Sequence, residues 1–266
     1  MNICYLFPGG RLKALTMSYD DGQVYDRKLV SLFNEYGIKG TFFLNSANLG
    51  KDIFVLPDEV SQLYRGHEVG IHAKTHPFLD SIPLESIIEE IIEDRKYLET
   101  LVGYPIKGMS YPYGVYNEEV VKILSALGIE YSRTVNSTYS FNIPTNFLVW
   151  NPTCHHKQDL LEITKRFLEA ENRNHLQLMY VWGHSFEFER ENNWKLIEDF
   201  FKMVSKTTSV WFATNIEVVR YIKALRMLEF SVKRDIVYNP SAISVWLSVN
   251  GRTVEVKGGE IVTLSS

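Results

Sequence analysis

Short β-branched or aromatic runs alternate with longer amphipathic stretches along most of this chain. Lys13–Ser18, Gly40–Leu44 and Glu68–His72 read as strands. Between them the pattern predicts a helix over Val24–Tyr36, ended by Gly37, and a short one over Pro57–Tyr64. The clearest helix is Pro83–Val102. Its Ile87, Ile88, Ile91, Ile92, Leu98 and Leu101 recur at helical spacing, and Glu and Lys fill the other face. Proline near the start and Gly103 past the end are the expected punctuation. The alternation continues with strands at Gly108–Ser110, Tyr131–Val135, Leu148–Asn151, Gln177–Trp182 and Val210–Ala213. Helices are expected at Glu118–Leu127, Asp159–Glu171, Trp194–Thr207 and Asn215–Leu228.

Repeated β-then-α units call for a parallel sheet with helices outside it. About seven such units favour a (β/α) barrel over an open sheet. The pattern changes near residue 229. Ile243–Val249, Thr253–Val256 and Ile261–Leu264 alternate as strands, and Asn250-Gly251 is a hairpin turn. The expected organisation is an α/β barrel over 1–228 and a small antiparallel β appendage over 229–266, with the first strand starting about a dozen residues in.

Composition adds little to this picture but excludes several functions. With 266 residues, 45% of them hydrophobic, the chain can bury one large core. A net charge of −4 and the lack of a basic cluster give no nucleic-acid footprint. No stretch has the apolar length of a membrane span. Cys4 and Cys154 make no disulfide framework. The start of the chain lacks a basic segment followed by an apolar core, so the expected location is the cytoplasm.

Function in βα barrels sits where strands end and loops begin. The first predicted strand ends in Ser18-Tyr19-Asp20-Asp21-Gly22, and the third in His72, followed by His76. The fourth runs into Ser110-Tyr111-Pro112-Tyr113-Gly114, and a later one into Trp182-Gly183-His184. Taken singly, Asp-Asp-Gly reads as a solvated turn and the histidines as loop residues. Together at one rim, two histidines and a carboxylate suit a catalytic Zn²⁺, which takes three protein ligands and leaves room for water. His72 and His76, four apart, are expected on one side of a helical turn. One aspartate would complete the ligand set, and the other would accept a proton from the attacking water.

These segments resemble the polysaccharide deacetylase family, carbohydrate esterase family four. Thr16-Met17-Ser18-Tyr19-Asp20-Asp21-Gly22 is similar to its first motif, His72-Ala73-Lys74-Thr75-His76 to its second, Tyr111-Pro112-Tyr113-Gly114 to its third and Gly183-His184 to its last. The resemblance covers roughly residues 10 to 228. It implies a distorted barrel of about seven strands, a divalent metal, usually zinc, and hydrolysis of N- or O-linked acetyl groups on a carbohydrate. It further implies that Asp20 is the catalytic base, that Asp21, His72 and His76 hold the metal, and that the Tyr113 backbone N–H supports the oxyanion. His184 would protonate the leaving group. Tyr111, Trp182 and His155 are candidate substrate contacts, the first two by stacking on a sugar ring.

The sequence departs from the family pattern twice. Ser110 stands where the third motif opens with an arginine that orients the base. The stretch Trp150-Asn151-Pro152-Thr153-Cys154-His155-His156 has none of the fourth motif's aspartates, though Glu187, three residues past His184, supplies a carboxylate. These losses motivate a second reading, a metal-retaining carbohydrate-binding pseudoenzyme. A third is a hydrolase of a small cytoplasmic amide. Arg133, near the end of the strand after Ser110, offers a replacement. Adjacent strands lie only about 4.7–4.9 Å apart, so its guanidinium is within reach of Asp20. The alternative is an Arg133 that faces solvent or binds substrate.

Overall fold

The computed structural model describes residues 2–171 and 175–264. In chain order, β1 is Ile3–Leu6, β2 Lys13–Asp21, α1 Asp26–Glu35 and β3 Thr41–Leu44. They are followed by α2 (Val60–Leu63), β4 (Glu68–Ile71), α3 (Leu84–Val102), β5 (Gly108–Ser110), α4 (Glu118–Ala126) and β6 (Tyr131–Arg133). Next come β7 (Cys154–His155), α5 (Leu160–Glu169), β8 (Gln177–His184), α6 (Ser185–Arg190), α7 (Trp194–Val204), β9 (Val210–Phe212) and α8 (Asn215–Arg226). The tail holds β10 (Glu229–Phe230), β11 (Ile236–Tyr238), β12 (Val245–Val249), β13 (Arg252–Val256) and β14 (Ile261–Thr263).

Seven parallel strands curl into a distorted (β/α) barrel in the order β6-β5-β4-β3-β2-β8-β7. The central strand, β2, is buried along almost all its length, as expected for a parallel strand covered on both faces. Along one edge β2 pairs with β8. On the other it pairs with β3 at Ser18–Asp21 and with β9 at Lys13–Leu15. The gap between β6 and β7 is bridged by Trp150, whose N–H donates to Ser132 O (2.9 Å) and whose carbonyl accepts from Thr134 N (3.0 Å). The expected strand at Leu148–Asn151 is therefore a 3-10 turn, Phe147–Val149, followed by this single bridge, and the strand proper is β7. Pro152 has no N–H to donate and stands between the bridge and β7, so regular pairing is not sustained across the gap.

The base of the barrel is closed by the start of α8. Ile216 N donates to Glu68 Oε2 (2.9 Å), and Tyr131 and Thr41 hydroxyls donate to the same carboxyl. An acidic group at a helix N-terminus is favoured there, and here it is also internal to the barrel.

The tail forms two three-stranded antiparallel sheets, β1-β12-β13 and β10-β11-β14. β1 was not expected. Its four residues pair with β12 from Ile3↔Val249 to Leu6↔Trp246, so the start of the chain completes a sheet made mostly of its end. Isolated from that partner, four residues carry too little periodicity to be read. Val237, Val245, Leu247 and Val256 from these sheets pack with Val218, Tyr221 and Ile222 of α8 in one buried cluster. No helix among the described residues is long and apolar enough to cross a membrane.

Candidate active site

The C-terminal ends of β2, β4, β5, β6 and β8 bring together the residues singled out above. Asp21, His72 and His76 present ligand atoms to a common point. The two Nε2 atoms lie 3.1 Å apart, and Asp21 Oδ1 is 3.8 Å from His72 Nε2 and 4.0 Å from His76 Nε2. Ligands at Zn²⁺ distances around a tetrahedral ion sit roughly 3.3–3.6 Å from one another, so the three residues fit such an ion. The histidines do not meet across a helical turn as expected. Residues 72–76 are a loop in which Ala73 (φ 59°) and His76 (φ 61°) take left-handed backbone. Asp21 (φ 80°) and Tyr113 (φ 56°) do the same, so unfavourable backbone is concentrated on this rim.

The tautomer of His72 follows from its partners. Nδ1 lies 2.8 Å from the Ser110 carbonyl, which only accepts, so Nδ1 carries the hydrogen and Nε2 presents its lone pair. Burial lowers the His72 pKa against the pull of Asp20 and Asp21, which keeps the ring neutral. Behind it, Asp94 of α3 accepts from His72 N (3.1 Å) and Ser46 N (2.7 Å), tying the end of β4 to that of β3. Sequence reasoning missed Asp94, yet a signal existed. It stands in the buried stripe Ile87, Ile91, Asp94, Leu98 of an otherwise apolar helix face.

Asp20 is buried at 2% exposure beside this group. Arg133, fully buried, donates from Nη2 to Asp20 Oδ2, and its guanidinium stacks 4.1 Å from the Trp182 ring centroid. Ser110 Oγ reaches the other carboxylate oxygen, Oδ1, at 3.3 Å, and lies 2.6 Å from His72 Nδ1. Burial alone would raise the Asp20 carboxyl. The charge and hydrogen bond of Arg133 overcome this and hold it below its ordinary value.

A second group stands across the rim. His184 and Glu187 are the first and fourth residues of a capping box at the start of α6, so Glu187 Oε2 accepts from His184 N (3.1 Å) and lies 3.2 Å from His184 Nδ1. With Nδ1–H on that carboxylate, His184 turns Nε2 toward Asp21 Oδ2, 4.0 Å away. His155 Nε2 and His156 Nε2 lie 3.1 and 3.3 Å from the same Glu187 oxygen, and Lys157 Nζ lies 2.8 Å from the other. Burial would raise the Glu187 carboxyl, but hydrogen bonds from His155, His184 and Lys157 hold it far below the usual carboxylate range. Burial lowers the His184 pKa, and the Glu187 bond, with the Asp20 and Asp21 charges, more than reverses it. His156 packs between the rings of Tyr19 and Phe188 in space that any side chain on Gly183 would fill.

Of the three candidate substrate contacts, Tyr111 is placed differently from expectation. Tyr111 is buried at 1% exposure, stacks on Tyr116 and gives its hydroxyl to Leu148 O, so it has no face toward a ligand. Trp182 gives one face to Arg133, and His155 directs Nε2 at Glu187. Tyr113 is the exposed aromatic of the group, in the turn Pro112–Gly114 after β5.

Residues 9–132 match the sequence profile of the polysaccharide deacetylase family. The resemblance to that family holds. The match spans the first three motifs and ends one residue before Arg133. A peptidoglycan-N-acetylglucosamine deacetylase of Bacillus cereus is 30% identical over 122 residues, 44% of this chain and 43% of that one. A chitin deacetylase of Arthroderma benhamiae is 31% identical over 120 residues, 42% of this chain and 31% of that one. The chain thus matches less than half the length of these curated relatives. Among solved structures, a putative polysaccharide deacetylase of Mycobacterium smegmatis superposes with a TM-score of 0.66 at 16% identity, over 84% of this chain and 94% of that one. At that identity the superposition is a likeness of fold, and it covers more of the chain than the matched segment does.

Proposed function

We propose that this chain is a metal-dependent hydrolase that removes acetyl groups, N- or O-linked, from a carbohydrate. The observation that carries the reading is a buried carboxylate, Asp20, paired with Arg133 and set 3.7 Å from His72 Nε2 in the Asp21–His72–His76 group. The relatives named above act on peptidoglycan N-acetylglucosamine and chitin, which supports an acetylated sugar as substrate. Asp21, His72 and His76 would hold the divalent ion, with Zn²⁺ the default for two imidazoles and one carboxylate. When bound, the ion supplies Lewis acidity toward the acetyl carbonyl and the attacking water.

The side chains do the rest. Asp20, kept ionised and oriented by Arg133 on one oxygen and Ser110 on the other, takes the proton of the attacking water. The Tyr113 backbone N–H supports the developing oxyanion, a task for a pre-placed donor. His184, oriented through Nδ1–H by Glu187, gives the proton on Nε2 to the departing amine or alcohol. Residues 1–228 are the catalytic unit in this reading, and 229–266 contribute no catalytic side chain. The pseudoenzyme alternative rested on Ser110 and on the altered fourth motif, and Arg133 on Asp20 and Glu187 on His184 weigh against both grounds.

Acetate release from a panel of acetylated mono- and oligosaccharides, with metal and with chelator, tests the proposal. Release that depends on metal and on Asp20 is expected. Metal-loaded protein that releases no acetate from any member, or releases it equally in chelator, refutes it.

A further inference from the structure

Phe78 and Tyr113 form a pair unlike any other aromatic contact in the described chain. Both rings are about half exposed, 49% and 53%, yet they stack face to face with centroids 4.0 Å apart and planes 10° from parallel. The other face-stacked aromatic pairs each include at least one buried ring. Two large apolar faces kept at a surface are a cost unless something covers them. Each ring covers one face of its partner, and each residue keeps about half of its surface exposed.

Their mounting is rigid. Tyr113 is fixed in a left-handed turn by Gly114 N→Tyr111 O (2.8 Å) and Val115 N→Pro112 O (3.1 Å). Phe78 lies between Pro77, which restricts the backbone, and the buried anchor Leu79. The pair is also next to the candidate metal ligands, because the Tyr113 ring meets the His76 ring edge-on with centroids 4.4 Å apart. A flat apolar surface of this size matches the C–H face of a pyranose, whose hydroxyls point outward from the ring edge and stay in water. Aromatic side chains suit such a ligand because they offer area at little conformational cost.

We propose that Phe78, backed by Tyr113, is a stacking platform for a pyranose ring neighbouring the one that is deacetylated, so that the substrate is an oligosaccharide rather than a small amide. The platform rests on the deacetylase reading for its position relative to the reacting ring, but not for its capacity to bind sugar. It requires at least two linked sugars, one at the Asp20 centre and one on Phe78.

The test uses the full-length, metal-loaded protein and two substrates, tetra-N-acetyl-chitotetraose and 4-nitrophenyl acetate. Phe78→Ala is expected to raise KM for the tetramer by roughly three- to tenfold, the scale of one aromatic stacking contact. Its rate on the nitrophenyl ester should stay within about twofold, since that substrate reaches only the reacting centre. Phe78→Trp, which keeps a larger flat face, should restore the tetramer KM. Equal losses on both substrates would make Phe78 a prop for Tyr113 and His76 and overturn the platform, as would no change on either. If wild-type protein releases no acetate, tetramer binding followed by NMR line broadening takes the place of turnover. Binding lost in Phe78→Ala then retains the platform, and the missing turnover counts only against the deacetylase reading. Binding unchanged in the variant, or absent in wild type, overturns the platform.

Discussion

Two groups of imidazoles and a carboxylate face each other across this barrel mouth, and both bring ligand-type atoms within 4.8 Å of one another. One is Asp21, His72 and His76, and the other is His155, His156 and Glu187. Composition and distance do not separate them, but the partner on the far ring nitrogen does. His72 Nδ1 faces the carbonyl of Ser110, so its hydrogen is on Nδ1 and Nε2 has a lone pair to give. His155 Nδ1 accepts from Lys157 N (3.2 Å), so in the neutral ring the hydrogen is on Nε2, which donates to Glu187. Glu187 also takes Lys157 and His184, whereas Asp21 has His184 Nε2 only at 4.0 Å and, among the described residues, no lysine or arginine within 4 Å. The first group presents lone pairs toward a common point, and the second saturates a carboxylate with donors. The lesson is that a cluster of ligand residues is read from its second partners as much as from its first.

The largest expected effect separates the two groups directly. His72→Ala should remove both bound metal and turnover, whereas His155→Ala should leave metal content unchanged, as measured by elemental analysis of freshly purified protein. Metal lost in His155→Ala and kept in His72→Ala would reverse the assignment. Asp20→Asn should retain the metal and lose about two to four orders of magnitude in kcat, the range for removal of a general base. Near-normal kcat in that variant would move the base elsewhere.

Arg133→Ala comes next, and its effect is on stability as well as rate. Removing one partner of a buried pair costs about 3–5 kcal/mol, because the other charge is left uncompensated. Asp20 has a depressed pKa in the folded state, so its contribution is present above the unfolded value and lost as pH falls through the folded one. Without Arg133, burial raises the Asp20 carboxyl. The acid limb of the kcat/KM profile should therefore move to higher pH, and acid unfolding should begin at higher pH. Denaturant titrations and rate profiles of both proteins measure this, and an unmoved acid limb would remove Arg133 from the control of Asp20. The smallest effect is expected for Glu187→Gln. Turnover of amide substrates should fall about ten- to a hundredfold, as for loss of a group that orients another. Nitrophenyl esters should change little, because their leaving group needs no proton. An equal loss on both classes would show that Glu187 shapes the pocket rather than His184.

Much of this centre was legible because strand ends are local. A strand that finishes in Asp20-Asp21-Gly22 or His72 states its own chemistry, and barrel topology sends every such end to one rim. The Arg133 contact was also accessible in advance. β5 and β6 are neighbours in register, Ser110 opposite Arg133, so an arginine one strand over substitutes for one lost at Ser110. The role of Ser110 was not legible. Its hydroxyl contacts both Asp20 and His72, a geometry that depends on three strands at once. Tyr111 was misplaced for a related reason, since alternation along a strand end does not reveal whether a neighbouring turn such as Phe147–Val149 covers the outer face.

The sequence by itself determined the alternation of strands and helices through most of the barrel, the rim at which carboxylates and histidines gather, and the nearness of the Glu187 carboxylate to His184. These depend on periodicity and on neighbours within a few residues. Only the tertiary structure decided which histidine is a lone-pair donor and which a hydrogen donor. It also paired β1 with β12 across the length of the chain, bridged the barrel through Trp150, and set Phe78 against Tyr113. Apart from the local contact of Lys157 N with His155, each of these joins segments far apart in sequence, and its geometry is set by packing that no local pattern records.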